Sequence, residues 1–282
     1  MTTLSARLQA LFPDASGVSR KDWLARGRVT VDGTVVRDGR TEIADKARVR
    51  LGDETVARVK LGHPLRLIHE DEHLIVIEKP ADLLTIATDT EQERTAYRHV
   101  FAYLQSKRPP SRPLIVHRLD RQTSGLLVLA KSVAVKRDLQ SQFAARTVTR
   151  AYVAVVEGRV GPDAGTLEDR IVQSDILRVR RARPREEGGR VAVTRYRVRN
   201  RGATTTLLDV TLGTGRRHQI RVQLGALGHP VVGDHTYHAT TDPIRRLCLH
   251  ATLLGFVHPG TGARVEYASP IPPAFARAHR RR

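Results

Sequence analysis

The sequence predicts an α+β fold, with a mixed, mainly antiparallel sheet, flanking helices and a small α/β module in front. Segments with strand character follow one another through residues 65–282 with few helices between them, which favours this sheet over a doubly wound one. A shorter pattern of two helices and a hairpin occupies residues 1–58. Hydrophobic residues make up 40% of the 282 residues, enough for a substantial core, and the length suggests two domains. We therefore expect domains at residues 1–58 and 65–282.

The first domain begins with two predicted helices and continues into strands. Leucines at helical spacing from Leu4 to Leu11 predict the first helix. Ser19 is a suitable N-cap for the second helix, which the segment Arg26-Gly27-Arg28 would end. The Asp32-Gly33 pair between valines predicts a hairpin, and Val49 to Leu51 would close a short sheet.

Basic residues of this domain are candidates for contact with an anionic partner. We expect four of them on or beside the exposed face of the second helix, namely Arg20, Lys21, Arg26 and Arg28. Basic residues usually occupy a solvated helical face, and that interpretation remains open. The net charge of +19 and the pI of about 11.1 favour contact with the phosphates of a nucleic acid.

The second domain is predicted to be rich in strands. Strands are expected at Leu65–His69, His73–Glu78, Leu126–Ala130, Ala151–Val156, Val191–Arg199, Thr204–Leu212 and Leu249–Val257. Helices are expected at Thr95–Ser106, from a cap at Ser132 to Phe143, and at Arg216–Leu227, where Ile220, Leu224 and Leu227 share an apolar face. The segment from Asp163 to Gly189 is predicted to be irregular.

Composition also limits the classes of protein that the chain can represent. Cys248 is the single cysteine, which excludes a disulfide framework and a thiolate metal cluster. The apolar runs are shorter than a membrane span, and the N-terminus lacks the apolar core of a signal peptide. We expect a cytoplasmic monomer that binds no membrane, and charge alone does not separate RNA from DNA as its partner.

One carboxylate stands out among basic residues. Asp120 lies between Arg118 and Arg121, before a polar Thr-Ser-Gly turn and an apolar strand. A carboxylate in this position is a candidate nucleophile or general base, and nearby arginines would keep it ionised. The alternative is an Asp-Arg pair in a turn that leads into a core strand, and composition alone favours it.

A second candidate is the glycine-containing turn Gly213-Thr-Gly-Arg-Arg-His-Gln-Ile-Arg221. Its glycines allow a tight turn into a helix whose N-terminus can receive a phosphate, although an ordinary helix start has the same pattern. As a nucleotide-binding motif it is weak. Arg221 follows the apolar Ile220, so we expect it to be partly buried and to need an anion, for which Asp120 is a candidate.

A tyrosine and a group of histidines are further candidates for a functional role. Tyr152 lies in a predicted strand, where it is either a core residue or a ring that stacks on a base. Five histidines, which are His229, His235, His238, His250 and His258, lie near the C-terminus. Asp234-His235 and His238 could suggest a metal, but without cysteine pairs or a His-Glu-x-x-His motif we predict no metal site.

These segments together resemble the RluA-type family of RNA pseudouridine synthases over most of residues 65–270. The segment His117 to Lys131 is similar to the family signature, and Glu70 to Pro80 is similar to its opening strand pair. The segments Gly215 to Arg221 and Leu227 to Asp234, followed by Leu249-His-Ala and His258-Pro259, match in order and spacing. Residues 1–58 more loosely resemble the S-four type RNA-binding module that many members carry.

The resemblance implies a mainly antiparallel sheet with a central catalytic cleft, and an isomerase that needs no cofactor. It implies that Asp120 is catalytic, that Tyr152 is the active-site tyrosine, and that Arg221 pairs with Asp120. Arg118 matches an arginine that can fill the gap left by a flipped nucleotide. We expect the polar residues beside these positions to contact RNA as well, and they are Arg121, Thr123, Arg216, Arg217, His218 and Gln219.

The chain departs from the family pattern at two places, and two other functions stay open. Asp82 replaces a usual glycine, and the segment from Ile86 to Tyr97 is altered, which affects the choice of RNA site rather than the chemistry. A non-catalytic RNA-binding or ribosome-assembly factor with this fold would be expected to have lost part of the signature. A nucleic-acid glycosidase using the same carboxylate would release free uracil. The substrate is expected to be ribosomal RNA, with transfer RNA as the alternative.

Overall fold

The computed structural model describes most of the chain, with gaps mainly near the N-terminus. It covers residues 2–13, 15–25, 29–32, 34–36, 38–45, 47–51, 65–173, 179–183 and 185–279. The chain divides into two compact units, residues 1–59 and 60–282. Within the described residues, every helix is too short or too polar to span a bilayer.

The first unit combines two helices with short strands around a small apolar core. Its elements are β1 Thr2–Thr3, α1 Leu4–Leu11, α2 Gly17–Ala25, β2 Val29–Val31, β3 Thr34–Val35, β4 Glu42–Ile43 and β5 Val49–Leu51. β2 pairs with both β3 and β5, as the Asp32 turn and the later valine predict. The core consists of Leu4, Leu8, Leu24, Val29, Ile43 and Ala47.

The second helix of this unit begins earlier than the sequence predicts. Ser19 lies inside α2 and is not its N-cap, because the carbonyl of Ser16 already accepts a hydrogen bond from the Arg20 amide. Helical hydrogen bonding therefore starts one turn earlier than the Ser19 cap would allow.

The second unit is built around one large sheet. Its strands are β6 Arg66–Glu70, β7 Leu74–Lys79, β8 Leu114–Ile115, β9 Ser124–Ala130, β10 Thr149–Glu157, β11 Ala164–Gln173, β12 Val179–Arg181, β13 Arg190–Arg201, β14 Thr205–Leu212, β15 Leu249–Val257 and β16 Arg264–Ala268. Its helices are α3 Ala96–Gln105, α4 Val133–Ala144, α5 Gln219–Ala226 and α6 Phe275–Ala278, with a 3₁₀ turn at His235–Tyr237. Thr95 caps α3 and Ser132 caps α4 as predicted.

The sheet is mixed and mainly antiparallel, as the sequence predicts. Its strand order is β12-β11-β13-β14-β10-β15-β9-β7-β6, with β16 beside β15 and β8 beside β9. Among the described pairs of this sheet, β9 with β15 is parallel and the others are antiparallel. The central strand β9 is buried along its whole length, so it forms a rigid base for the segment that precedes it.

The parallel pair depends on a glycine. Gly125 has φ +116°, a conformation that residues with a Cβ rarely adopt. A Cβ at this position would also overlap the backbone of Ala251, the residue of β15 that pairs with Gly125. The glycine of the Thr-Ser-Gly turn therefore allows β9 and β15 to approach each other.

The prediction of irregular structure from Asp163 to Gly189 is wrong over residues 164–173 and 179–181. This segment contains the ten-residue strand β11 and the short strand β12. β11 pairs with β13 from Ala164 opposite Arg197 to Ile171 opposite Arg190. Along β11, exposed and half-buried side chains alternate with few apolar residues among them, so the pattern that identifies strands by hydrophobicity is absent.

The last predicted helix is shorter than expected. α5 begins at Gln219 rather than Arg216, because the preceding residue, His218, has a left-handed backbone with φ 54°. Ile220 and Leu224 are buried, as predicted for the apolar face. Leu227 lies after the last helical residue and is 41% exposed, so it does not belong to that face.

Candidate active site

A cavity of about 830 Å³ opens in the second unit. Of the described residues that line it, one is a carboxylate, Asp120, and six are arginines. These arginines are Arg118, Arg146, Arg150, Arg216, Arg217 and Arg221. A cavity with this charge attracts a polyanion, and its described lining contains one carboxylate where a typical glycosidase uses two.

The backbone around Asp120 is fixed by two buried side chains. The Thr85 hydroxyl donates to the Leu119 carbonyl at 2.7 Å and accepts from the Leu119 amide at 3.2 Å. Beyond Asp120, the Thr123 amide donates to the Asp120 carbonyl at 3.1 Å and closes a turn into β9. The carboxylate of Asp120 thus projects from a backbone that is held on both sides.

Lys79, at the end of β7, is the second buried side chain that holds this segment. It is 0% exposed, and its ammonium donates to the carbonyls of Pro80, Leu83 and Arg121 at 2.9, 2.7 and 3.0 Å. Burial lowers the pKa of Lys79 to about 7, against the attraction of Asp120 and Asp82. Lys79 therefore ties the turn after Asp120 to the adjacent strand.

Arg221 has two carboxylate neighbours, and the closer one is not Asp120. Its guanidinium donates to both oxygens of Asp234, from Nε at 2.6 Å and from Nη2 at 2.7 Å. Its Nη1 lies 4.0 Å from Asp120 Oδ2. Burial alone would lower the pKa of Arg221, but the hydrogen bonds and charge of Asp234, together with Asp120, raise it overall. The expected pairing with Asp120 is therefore the weaker of two ion pairs.

The arginines beside Asp120 in the sequence do not pair with it. Within the described part of the chain, the ion pair of Asp120 is the one to Arg221. Arg118 and Arg121 are exposed, and Arg118 lines the cavity. Because the two side chains extend into solvent, they do not hold Asp120 as the sequence suggests, although Arg118 is free to meet a ligand.

Tyr152 lines the same cavity as Asp120. It lies in β10, is 8% exposed, and is therefore largely buried in the wall. Burial raises the pKa of Tyr152 to about 12. The charge of Asp120 also raises this pKa, whereas the charge of Arg150 lowers it. The phenol is consequently neutral at pH 7 and presents a ring face and a hydroxyl.

The turn before α5 divides into residues that face the cavity and residues that hold the turn. Arg216, Arg217 and His218 line the cavity and are half-buried. His218 Nδ1 lies 2.9 Å from Tyr237 Oη, and burial lowers the pKa of His218 to about 4. This histidine is neutral at pH 7 and carries no charge to attract a phosphate.

Gln219, a predicted RNA contact, lines the cavity but uses its side-chain amide within the fold. It is 2% exposed, and its Oε1 accepts from the Thr214 hydroxyl and the Arg216 amide. Its Nε2 donates to Val193 and Thr194. Since the fold occupies both ends of this amide, Gln219 shapes the turn instead of offering a hydrogen bond to a ligand. Thr123 also lines the cavity, and its buried hydroxyl has no hydrogen-bond partner within the described residues.

The basic residues predicted in the first unit have different environments. Lys21 is exposed on α2. Arg20 is half-buried, and its guanidinium donates to the carbonyls of Phe12 and Ala15, so it is used within its own unit and is not the free cation that the sequence suggests. Arg26 and Arg28 lie outside the described residues.

One histidine cluster has the spacing of a metal site. His69 Nε2 and His258 Nε2 each lie 2.8 Å from Asp71 Oδ2. However, His258 Nδ1 accepts from the amides of Gly260 and Thr261, at 3.1 and 3.2 Å, which leaves the proton on Nε2. A metal would need the Nε2 lone pair, so the arrangement fits a hydrogen-bonded cluster better than a metal centre.

Several residues of the cavity and its support were missed by sequence analysis. Asp234 and Lys79 lie in motifs that the sequence contains, but spacing alone does not show that they anchor Arg221 and the Asp120 turn. Gln122 accepts a hydrogen bond from Arg221 at 3.1 Å, and Thr85 holds Leu119. Arg150 precedes Tyr152 by two residues in the same strand and lines the cavity. This period-two spacing was a signal available in the sequence.

The sequence is similar to RNA-modifying proteins over nearly its whole length. A family model described as RNA pseudouridylate synthase matches residues 73–226. The ribosomal large subunit pseudouridine synthase D of Pseudomonas aeruginosa is 35% identical, over 94% of this chain and 87% of that protein. The protein of the same name from Escherichia coli K12 is 32% identical, over 95% and 87% respectively.

Solved structures agree with these sequence similarities. The chain called human RNA pseudouridylate synthase domain containing 1 aligns with a TM-score of 0.61 and 26% identity, covering 73% of this chain and 83% of that one. Human RNA pseudouridylate synthase domain containing 4 aligns with a TM-score of 0.61 and 25% identity, covering 74% and 90%.

Proposed function

The chain belongs to the RNA pseudouridylate synthase family, and we propose that it isomerises uridines of large-subunit ribosomal RNA with Asp120 as the reacting carboxylate. The enzyme class, an RNA isomerase, follows from family membership. The choice of ribosomal RNA is supported by the names of the relatives, whose length the chain covers to 87%. The observation that carries the assignment of Asp120 is its place as the one carboxylate among the described residues of an arginine-lined cavity.

The reaction breaks the bond from uracil N1 to ribose C1′ and forms a bond from C1′ to ring carbon five. The proton of carbon five passes to water and N1 takes one from water, so the isomerisation balances without a further co-reactant. Asp120 either attacks the ribose, removes its 2′ proton or adds to the ring. A carboxylate held 4.0 Å from the buried Arg221, whose charge Asp234 already balances, remains an available anion for each of these routes.

Tyr152 is proposed to hold the base while it turns. Its ring forms part of the cavity wall, and its pKa of about 12 keeps the phenol protonated at pH 7. Stacking on the freed uracil and donation from the hydroxyl are therefore better supported than removal of the carbon-five proton by a phenolate. Arg221 is proposed to orient Asp120 through Nη1.

A uridine inside folded RNA must leave its stack before it can reach Asp120. Extrusion costs a few kcal/mol, which contacts to the RNA backbone and a residue that fills the gap would offset. Arg118 is exposed at the cavity, so it is placed to insert beside the extruded nucleotide. Arg216 and Arg217, which also line the cavity, are proposed to contact phosphates, and Arg121 and Thr123 are proposed to contact the RNA near Asp120.

The first unit is proposed to be an S-four type RNA-binding module. Support comes from its two helices and short three-stranded sheet, and from the exposed Lys21 on α2. Arg26 and Arg28 belong to the same proposal through their sequence alone. Lys21→Gln should weaken RNA binding without changing the rate at saturating RNA, which filter binding and initial rates would measure.

The proposal also includes a cytoplasmic monomer that needs no cofactor. An enzyme of ribosomal RNA works where that RNA is found.

The assignment of Asp120 is tested with Asp120→Asn and a matched control, Asp138→Asn, on the exposed face of α4. The assay is tritium release from ribosomal RNA labelled at uridine carbon five. We expect Asp120→Asn to lose at least about 1,000-fold in rate and the control to keep its rate. Near-normal release from Asp120→Asn would overturn the assignment.

The same material separates the alternatives. Free uracil in the supernatant, detected by chromatography, would indicate a glycosidase. Tight RNA binding by the wild-type protein without tritium release would indicate an assembly factor. Mapping of pseudouridines by carbodiimide treatment and reverse transcription, with and without the gene, identifies the substrate, and a signal confined to transfer RNA would overturn the choice of ribosomal RNA.

A further inference from the structure

Arg150 is a cavity residue that the proposed reaction does not use. It lies two residues before Tyr152 in β10, and side chains at this spacing lie on the same face of a strand. Both residues line the cavity that contains Asp120. Arg150 is therefore on the wall where the uridine would be held.

The guanidinium of Arg150 is held in place but, among the residues that the structure describes, has no carboxylate partner. Its central carbon lies 5.4 Å from the centre of the Phe143 ring, which supports one side. Its Nε is fully buried and has no hydrogen-bond partner, and within the described residues no carboxylate or carbonyl accepts from its other nitrogens. By contrast, Arg221 has Asp234 and Gln122, and Arg216 has the Val191 carbonyl.

The turn before α5 leaves space for this side chain. A Cβ at Gly215 would lie 2.5 Å from Arg150 Nη1, so only a glycine fits without displacing the guanidinium. The fold thus supports one side of the guanidinium with an aromatic ring and leaves room beside Nη1, while its hydrogen-bonding groups remain without an acceptor.

We propose that Arg150 binds one backbone phosphodiester of the RNA strand, beside the uridine held by Asp120 and Tyr152. This inference rests on the proposed function, which supplies the RNA strand. The fork of an arginine matches two phosphate oxygens, and an anion that brings these oxygens satisfies the donors that the protein leaves unpaired. Burial lowers the pKa of Arg150, and a bound phosphate would remove that unfavourable effect of burial.

The charge of the cavity indicates why the ligand group is a phosphate. Asp120, the one described carboxylate in the lining, faces Arg221 and is not paired with Arg150. Since no carboxylate of the described residues serves Arg150, the ligand is the source of its anion in this proposal, and in RNA at neutral pH that anion is the phosphodiester. Held there, it would position the ribose in front of Asp120, so Arg150 is a positioning residue.

The first experiment measures how RNA affinity depends on salt. The variants are Arg150→Met and the control Arg197→Met, which removes the same charge from an exposed position on β13 outside the cavity lining. Loss of one phosphate contact should reduce the slope of log K against log salt by about 0.7. We expect this reduction, with an affinity loss of about tenfold or more, for Arg150→Met, and an unchanged slope for Arg197→Met.

The second experiment changes the RNA and leaves the protein intact. Single phosphodiesters on either side of the target uridine are replaced by uncharged methylphosphonates. Wild-type protein should lose affinity at one linkage, and Arg150→Met should show no further loss there. Gly215→Ala, whose Cβ would shift Nη1 of Arg150 without changing charge, should lose less affinity at that linkage than wild type does, and this second variant keeps the test valid if Arg150→Met does not fold.

The outcomes distinguish this inference from the proposed function. If wild-type protein converts uridine but Arg150→Met keeps the wild-type salt slope, or loses further affinity at every substituted linkage, the role of Arg150 is overturned. If Asp120→Asn remains active, the assignment of Asp120 fails while the role of Arg150 is unaffected. If wild-type protein forms no pseudouridine, the proposed function fails whatever the slope of Arg150→Met.

Discussion

Arg221 donates two hydrogen bonds to Asp234, at 2.6 and 2.7 Å, and this pair is buried at 2% and 0% side-chain exposure. Asp120 lies further away, at 4.0 Å, and keeps 18% side-chain exposure. The arginine is therefore anchored by a carboxylate that takes no part in the proposed reaction. It can stay in position while the charge and contacts of Asp120 change.

Removal of the anchor should cost more stability than removal of the proposed catalytic carboxylate. Asp234→Asn leaves Arg221 buried without its main anion, and we expect a loss of about 3–5 kcal/mol in the free energy of unfolding. Asp120→Asn breaks a longer and partly exposed pair and should cost about 1 kcal/mol or less. Urea unfolding of both variants measures the difference. Equal losses would contradict the asymmetric pairing.

The hydroxyl of Thr85 should matter for turnover, although it lies in the backbone support and not in the cavity lining. Thr85→Val keeps the shape and removes both hydrogen bonds to Leu119. We expect kcat to fall on the order of tenfold with KM little changed, because a small displacement of Asp120 spoils its alignment. Thr166→Val, on the exposed side of β11, is the matched control and should keep its kcat. A raised KM with normal kcat would indicate a role in RNA binding instead.

His250 predicts a pH dependence of stability. It is buried between the hydroxyls of Ser124 and Ser269, at 2.7 and 2.9 Å, and burial together with Arg246 lowers the pKa of His250 to about 4. The unfolded chain, with an ordinary histidine pKa of about 6.5, takes up the proton first as pH falls. The contribution of His250 is therefore complete above pH 6.5 and is lost as pH falls towards 4.

The measurement compares His250→Gln with wild type by urea unfolding. Between pH 7 and pH 5, the stability gap between the two proteins should shrink by about 2 kcal/mol. Between pH 8 and pH 7 the gap should stay constant, which serves as the internal control. A gap that is the same at pH 5 and pH 7 would show that His250 is not the group that titrates.

Two glycines offer a matched test of the parallel strand pair. Gly125→Ala must adopt φ +116° and overlap Ala251, and we expect a loss of about 3 kcal/mol or more. Gly161→Ala has open space around it and no positive φ, so it should change stability by about 0.5 kcal/mol or less. Thermal unfolding followed by circular dichroism compares them. A Gly125→Ala protein as stable as the control would contradict the close approach of β9 and β15.

Hydrophobic patterning predicted most of the central strands and the capped helices. Thr95 and Ser132 cap the helices that the sequence predicts, and β9, β10 and β15 lie where apolar runs indicate them. β11, which lies between β12 and β13, was missed because a strand with one solvated face and few apolar residues lacks the hydrophobic alternation on which that prediction depends. The early start of α2 and late start of α5 reflect backbone hydrogen bonds and a left-handed residue, which residue type does not specify.

For the candidate site, the sequence predicted which side chains line the cavity better than it predicted which of them pair with one another. Asp120, Tyr152 and Arg221 are widely separated in the chain and line one cavity. The sequence could show that a buried arginine needs an anion, but the choice between Asp120 and Asp234 depends on distances that arise only in the folded sheet. From the sequence, Gln219 is expected to be a polar surface residue. In the structure its amide forms hydrogen bonds with backbone and hydroxyl groups of the turn and the adjacent strand.

The parallel pairing of β9 and β15 bears on when, during folding, the chain gains the ability to catalyse the reaction. Ser124 and His250 meet across that pair, yet they are 126 residues apart in the chain. Closing so long a loop is entropically unfavourable until its contacts form, so this part of the sheet is expected to assemble late in folding. During synthesis, a growing chain already exposes most of its basic residues before β15 exists. The chain is therefore expected to bind RNA before its catalytic site has formed. A partly synthesised chain would hold RNA without converting its uridines.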